Sequence, residues 1–214
     1  LPPNLKFFRC SFNQLNSLPI LPAGLQILVC RNNQLNSLPA LPASLTRLEC
    51  YNNQIFSLPP LPADLLMIDC HNNQLSALPA LPAGLKELYC GINFLSTLPQ
   101  LPSVMTSLSC NNNVLTSLPA LPSGLEYLDC GNNQLTTLPA LPNTLQGLSC
   151  NHNQLTQLPT LPPILQGLGC EYNLLLSCLP LIPEWLSTLN KSFTDITCIP
   201  NPGSNGNLFG LPLC

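Results

Sequence analysis

Polar and apolar positions along this chain recur in blocks of 20 residues. Cysteine stands at 10, 30, 50, 70, 90, 110, 130, 150 and 170, and asparagine keeps the same interval at 13, 33, 53, 73, 93, 113, 133, 153 and 173. The second block reads Leu25-Gln26-Ile27-Leu28-Val29-Cys30-Arg31-Asn32-Asn33-Gln34-Leu35 and closes on Leu38-Pro39-Ala40-Leu41-Pro42. Leu28 and Cys30 flank a variable residue, the period-two alternation of a short strand with one buried face. Twenty residues leave no room for a helical return of several turns. The Leu-Pro-x-Leu-Pro segment predicts an extended return instead, because proline fixes φ, supplies no donor and pushes the preceding residue to β or polyproline II geometry. The predicted fold is a β solenoid: about nine to ten coils, with a parallel sheet on the concave side and an extended convex side. Strands about 4.8 Å apart give nine coils an arc of about 40 Å.

Five leucines per coil (25, 28, 35, 38 and 41 in the second) and the cysteine are expected to face inward. A buried leucine contributes roughly 1.5–3 kcal/mol, whereas ordering each residue costs roughly 1–2 kcal/mol, so a lone coil does not fold and the array stands by stacking. Cys30, Cys50 and Cys70 with Asn33, Asn53 and Asn73 exemplify the structural ladders. A buried amide there can bond backbone groups left unpaired where the strand turns away, including those of the next coil. The ladder cysteines are read as free thiols acting as small hydrophobes. No C-x-x-C pair suggests zinc, and no metal or cofactor is expected.

The block matches L-x-x-L-x-L-x-x-N/C-x-L with cysteine in the sixth slot, over nine units from residue 5 to about 175. It therefore resembles the leucine-rich repeat proteins, in particular the short bacterial class with Leu-Pro-x-Leu-Pro returns. That class includes type III secreted effectors of enteric pathogens and surface proteins of Bacteroidetes-type bacteria. Cysteine in the sixth slot and the ending Ile196-Thr197-Cys198-Ile199-Pro200 with Leu211-Pro212-Leu213-Cys214 lean towards the second group. The resemblance implies a secreted or cell-surface scaffold, often followed by a sorting domain. The effectors' ubiquitin-ligase domain has no counterpart in these residues, and no ligase activity is implied.

The expected organisation is nine repeats over 1–175, then a degraded tenth repeat and cap over 176–214, with one residue inserted near Cys178 and another near Ile182. Leu1 starts in phase with the Leu-Pro return, so the chain reads as an excised domain without an N-terminal cap or leader. Three cysteines break the period: Cys178, Cys198 and Cys214. A disulfide tying down the cap is expected, with Cys198–Cys214 preferred and Cys178–Cys198 second, which implies an oxidising compartment. No uninterrupted apolar stretch reaches the ~18 residues of a membrane span.

Charge narrows the partners. Charged residues are 7% of the 214, with 6 basic and 9 acidic, against roughly a quarter in ordinary domains. Such a chain lacks the basic cluster that nucleic-acid binding requires. Lys6, Arg9, Arg31 and Arg47 precede every acidic residue, so the N-terminal end is cationic and the rest acidic. This polarity would orient a charged partner or neighbouring copies, and self-association through the sheet face or the ends stays open.

Function is then expected from the outward strand positions. Arg31, Arg47, Tyr51, Met67, His71 and Tyr89 gather aromatic, cationic and thioether groups of the kind enriched at interface centres, whereas units six to nine offer mainly Ser, Gly and Asn. Asp69 and His71 share a facing, but acid–base catalysis needs an enclosing pocket that a shallow sheet seldom provides, so no enzyme is expected. His152 reads as a solvated substitution in an Asn-rich column. The first reading is a non-catalytic scaffold that binds a protein partner through units one to five. The alternative is a structural, adhesive or ice-binding surface acting through regular Asn, Gln, Ser and Thr ladders, such as Asn32, Asn52, Asn72, Asn112 and Asn132.

Overall fold

A computed structural model describes residues 1–177 and the strand 188–190. Each coil contributes one three-residue strand: β1 (Phe7–Arg9), β2 (Ile27–Val29), β3 (Arg47–Glu49), β4 (Met67–Asp69), β5 (Glu87–Tyr89), β6 (Ser107–Ser109), β7 (Tyr127–Asp129), β8 (Gly147–Ser149), β9 (Gly167–Gly169) and β10 (Thr188–Asn190). They form one parallel sheet in chain order. The register from β1 to β9 follows the sequence period, with Ile27 opposite Arg47 and Leu28 opposite Leu48. Between β9 and β10 it advances by 21 residues, Gly167 pairing with Thr188. One residue is therefore inserted before β10, where two had been expected. The cap, Trp185 and all of Cys178, Cys198 and Cys214 lie outside the described residues.

The return is extended, and its second proline has a further role. Pro22 O accepts the Leu25 N–H at 3.1 Å, a tight turn that aims the chain into the next strand, and Pro42, Pro62 and Pro82 repeat it. Burial is uneven around the coil. Leucines at the strand and just after the asparagine are fully enclosed (Leu28, Leu35, Leu48 and Leu88 are 0% exposed), whereas the return leucines Leu41, Leu61 and Leu81 only partly pack against the core. The core is thus a flat slab, deepest behind the sheet.

The ladder cysteines from Cys30 to Cys170 are buried free thiols in that slab. Loss of water around the thiolate pushes Cys30, Cys90 and Cys170 up to about 12, from an ordinary value of 9.0. Desolvation also raises Cys50, Cys70, Cys110, Cys130 and Cys150.

Asparagines of the second ladder staple neighbouring coils. The Asn93 amide nitrogen donates to Cys70 O, Cys90 O and Gly91 O, each at 3.1 Å, while its Oδ1 accepts the Leu75 N–H at 2.9 Å. The Leu75 N–H and Cys70 carbonyl belong to the preceding coil. Each staple therefore reaches backward along the chain, not to the next coil as the sequence suggested.

One residue before each staple, the backbone turns left-handed. Asn32, Asn52, Asn72, Asn112 and Asn132 have φ between 53° and 55° or, for Asn72, 51°. Asparagine tolerates this region better than other non-glycine residues, because its short polar side chain bonds locally. The Asn32 column therefore has a backbone cause independent of any ligand. Ile92, a β-branched residue, occupies the same place at φ 53°. Replacing it with the column's own residue, Ile92→Asn, is expected to stabilise the protein by about 1 kcal/mol, read as a higher urea midpoint. An unchanged or lower midpoint would show that the Ile92 side chain returns as much through packing as its backbone costs.

Candidate binding face

Side chains at the first and third positions of each strand, and at the residue after the cysteine, point out of the sheet, so residues 20 apart become neighbours in rows. On β2 to β4 and the turns beyond them, one row forms a continuous stack. The Arg31 guanidinium lies 5.5 Å from the Phe12 ring centroid and 5.3 Å from that of Tyr51. It also donates a hydrogen bond to the Tyr51 hydroxyl. Tyr51 stacks on His71 with centroids 4.3 Å apart and planes at 16°. His71 Nδ1 lies 2.6 Å from Asp69 Oδ1. The row stops at Gly91, where an added Cβ would fall 2.1 Å from the Asn111 amide oxygen leaning over it.

Beside this stack, Glu49 gathers two arginines. Arg47 reaches its Oε1 through Nη2 at 2.7 Å and Nε at 2.8 Å, and Arg31 approaches Oε2 at 3.9 Å. Of the six sequence-selected residues, Arg31, Arg47, Tyr51 and His71 are therefore linked directly or through Glu49. Met67 sits half-buried on β4 between Arg47 and Glu87 in register. Tyr89 turns away from the stack and donates to Glu87 at 3.1 Å. It lines instead a depression of about 310 Å³ with Asp69, His71, Ser109 and Asp129.

In that depression the Asp69–His71 pair lies near a serine hydroxyl, that of Ser109. Burial raises the Asp69 carboxyl, and the His71 contact opposes that shift; burial likewise raises Asp129. The Ser109 hydroxyl, however, donates to Asn111 Oδ1 at 3.0 Å, so its proton is committed away from His71. The Asp69–His71 pair can hold a charge or a hydrogen bond, but it does not activate this serine.

Three features escaped the sequence reading. Phe12 completes the stack from a left-handed position outside the three outward rows, and a bulky residue in an Asn column was its only signal. Glu49 organises both arginines. His152 is not simply solvated: its ring stacks on Tyr172 at 3.9 Å and 24°, both from left-handed positions one coil apart. The amide ladder expected of the Asn32 column forms over three coils, with Asn52 donating to Asn32 at 2.9 Å and Asn72 to Asn52 at 2.7 Å. Among the described residues no cluster of side chains could hold a metal ion, and no helix is long and apolar enough to cross a membrane.

A one-strand-per-coil parallel solenoid, stapled by asparagines and carrying variable side chains on an open sheet, defines a repeat scaffold. The pattern for two copies of leucine-rich repeats matches residues 104–143. In structure the chain is similar to YopM from Yersinia enterocolitica, at 38% identity and a TM-score of 0.74 over 91% of this chain. It spans 47% of that protein, about half its length. It is also similar to YopM of Yersinia pestis, a leucine-rich effector protein, at 31% identity and a TM-score of 0.71, covering 94% of this chain and 75% of that one. The chain belongs to the leucine-rich repeat family. The functional domain of InlJ from Listeria monocytogenes, which includes a cysteine ladder, shares the fold at 22% identity and a TM-score of 0.66, covering 93% of this chain and 59% of that one. No curated protein sequence matches.

Proposed function

We propose that this chain is a non-catalytic protein-binding scaffold of a secreted or surface bacterial protein, and that it recognises its partner through the sheet face of repeats one to five. The observation that carries this reading is the stack Phe12–Arg31–Tyr51–His71 beside Arg47, set on a face whose other half is built mainly from Ser, Gly and Asn. Preordered aromatic and arginine side chains lose little entropy on binding and dominate interface energetics. Similarity to a Yersinia effector supports export, and the sixth-slot cysteine favours a Bacteroidetes-type surface protein within the family. The ladder alternative draws on the Asn32–Asn52–Asn72 amide chain, but the left-handed backbone already accounts for asparagine there.

A benzophenone amino acid at position 51, or at position 140 on the return as control, distinguishes the two on exposure to host-cell or neighbour-cell extracts. The expected result is one discrete adduct from position 51 and none from position 140. In the same assay Arg47→Ala combined with Tyr89→Ala should remove most of that adduct. Equal labelling from both positions, or an adduct indifferent to the two substitutions, would sink the reading.

A further inference from the structure

The sheet face over β1 to β3 is hollowed into a depression of about 630 Å³ that differs in charge from the rest of the face. Its rim carries three guanidinium groups, Arg9, Arg31 and Arg47, and a single carboxylate, Glu49. Glu49 is already taken up by Arg47 at 2.7 Å and, more loosely, by Arg31 at 3.9 Å. Arg9 has no carboxylate partner among the described residues, and the Arg31 Nε is buried without a hydrogen-bond acceptor. Two positive charges are thus left uncompensated around a floor made by Ile27 and Val29. Guanidinium groups bind carboxylates through paired, charge-assisted hydrogen bonds, and an apolar floor between them selects a ligand with a hydrophobic side chain next to its charge.

We propose that this depression is a subsite for an acidic segment of the partner protein, one in which carboxylates alternate with aliphatic side chains. The inference rests on the protein-binding reading and specifies its chemistry. A ligand carboxylate that draws the Arg31 side chain outward would give its buried, acceptor-less Nε a partner. The neighbouring Phe12 ring, 71% exposed, supplies an apolar wall at the open end. Over β6 to β9 the face offers Asp129 and Glu171 instead, so an acidic ligand is held at one end of the sheet and repelled from the other.

The test uses the whole chain and two fluorescein-labelled peptides, one alternating glutamate with leucine and the other alternating glutamine with leucine, read by fluorescence polarisation. The glutamate peptide is expected to bind about tenfold more tightly, with an affinity that falls as salt is raised. Arg9→Gln, at an exposed side chain whose loss leaves the core intact, should weaken the glutamate peptide several-fold and leave the glutamine peptide unchanged. Arg9→Gln with Arg47→Gln should remove the preference, while Tyr127→Ser on β7 should preserve it. Equal binding of both peptides, or indifference to Arg9→Gln, overturns the proposal. So does sedimentation showing a dimer that Arg9→Gln dissociates, since the occupant would then be a second copy. If the peptides fail while the position-51 adduct persists, only the acidic subsite is lost; if both fail, the binding face itself is wrong.

Discussion

Between pH 9 and pH 10 the protein is expected to lose most or all of its stability, in a range where ordinary domains with few lysines and tyrosines change little. The cause is the thiol column. Eight ladder cysteines from Cys30 to Cys170 are buried, and each is held protonated well past its ordinary 9.0 by loss of water, three of them up to about 12. The unfolded chain has no such protection and releases its thiol protons near 9.0. Above that pH the unfolded state binds fewer protons than the folded one, so stability falls as pH rises, until the folded thiols themselves ionise, Cys30, Cys90 and Cys170 at about 12 and the others also well above 9.0. Each buried thiol then takes away about 0.4 kcal/mol at pH 9 and about 1.4 kcal/mol at pH 10. For eight of them the loss is roughly 3 kcal/mol at pH 9 and roughly 11 kcal/mol at pH 10, against a total of about 5–15 kcal/mol for a folded protein. Urea midpoints at pH 7.5, 9 and 10, measured with a phosphine reductant, give the slope. Replacing Cys50, Cys70 and Cys90 together with alanine should flatten it by about three thiols' share. A midpoint that holds steady to pH 10 would show that these thiols are not buried as a group.

Removing a single interior staple should cost a large share of the stability at neutral pH. Asn93 is 6% exposed and supplies the acceptor for the buried Leu75 N–H, while its amide is one of two donors to the Cys70 carbonyl, shared with Asn73, and to the Cys90 carbonyl, shared with Asn113. Asn93→Ala leaves the buried Leu75 N–H without an acceptor and takes one donor from each of the two carbonyls. At roughly 1–3 kcal/mol for the unsatisfied N–H and roughly 1 kcal/mol for the bonds lost to the carbonyls, a loss of about 2–4 kcal/mol is expected. The first coil provides the internal comparison. Asn13 is exposed, and its amide bonds only Cys10 O and Ser11 O within its own turn. Asn13→Ala should therefore cost well under 1 kcal/mol. Chemical denaturation of the two variants decides the point, and equal losses at positions 13 and 93 would mean that the staple between coils carries little of the stability.

The architecture was legible because the chain states it nine times. Leu28-Val29-Cys30 alternates in the same way as Leu48-Glu49-Cys50, and only a parallel stack lets every copy bury the same face. Adjacency on the open face was legible in the same way, since residues 20 apart must be neighbours; Tyr51 beside His71 follows from the period alone. Rotamers and backbone handedness were not. Tyr89 lies one coil beyond His71 yet turns to Glu87, a choice made by the local hydrogen bond and not by the repeat. The Asn32 column carried two meanings, outward ligand surface or left-handed turn, because one residue type suits both; only φ separates them. Phe12, Ile92 and Tyr172, three bulky residues in that same column, were the available hint that its position is defined by the backbone and not by asparagine chemistry.

Every strand of the sheet touches only the strands immediately before and after it in the chain. Tension applied across the described coils would thus meet no clasp joining distant strands. The terminal coil must shed its hydrogen bonds before the next one feels the load. Each coil that peels away pays out 20 residues, about 70 Å of slack at full extension. A scaffold of this kind, anchored at one end and gripping a partner at the other, can lengthen in repeated small yields while the remaining coils keep their shape.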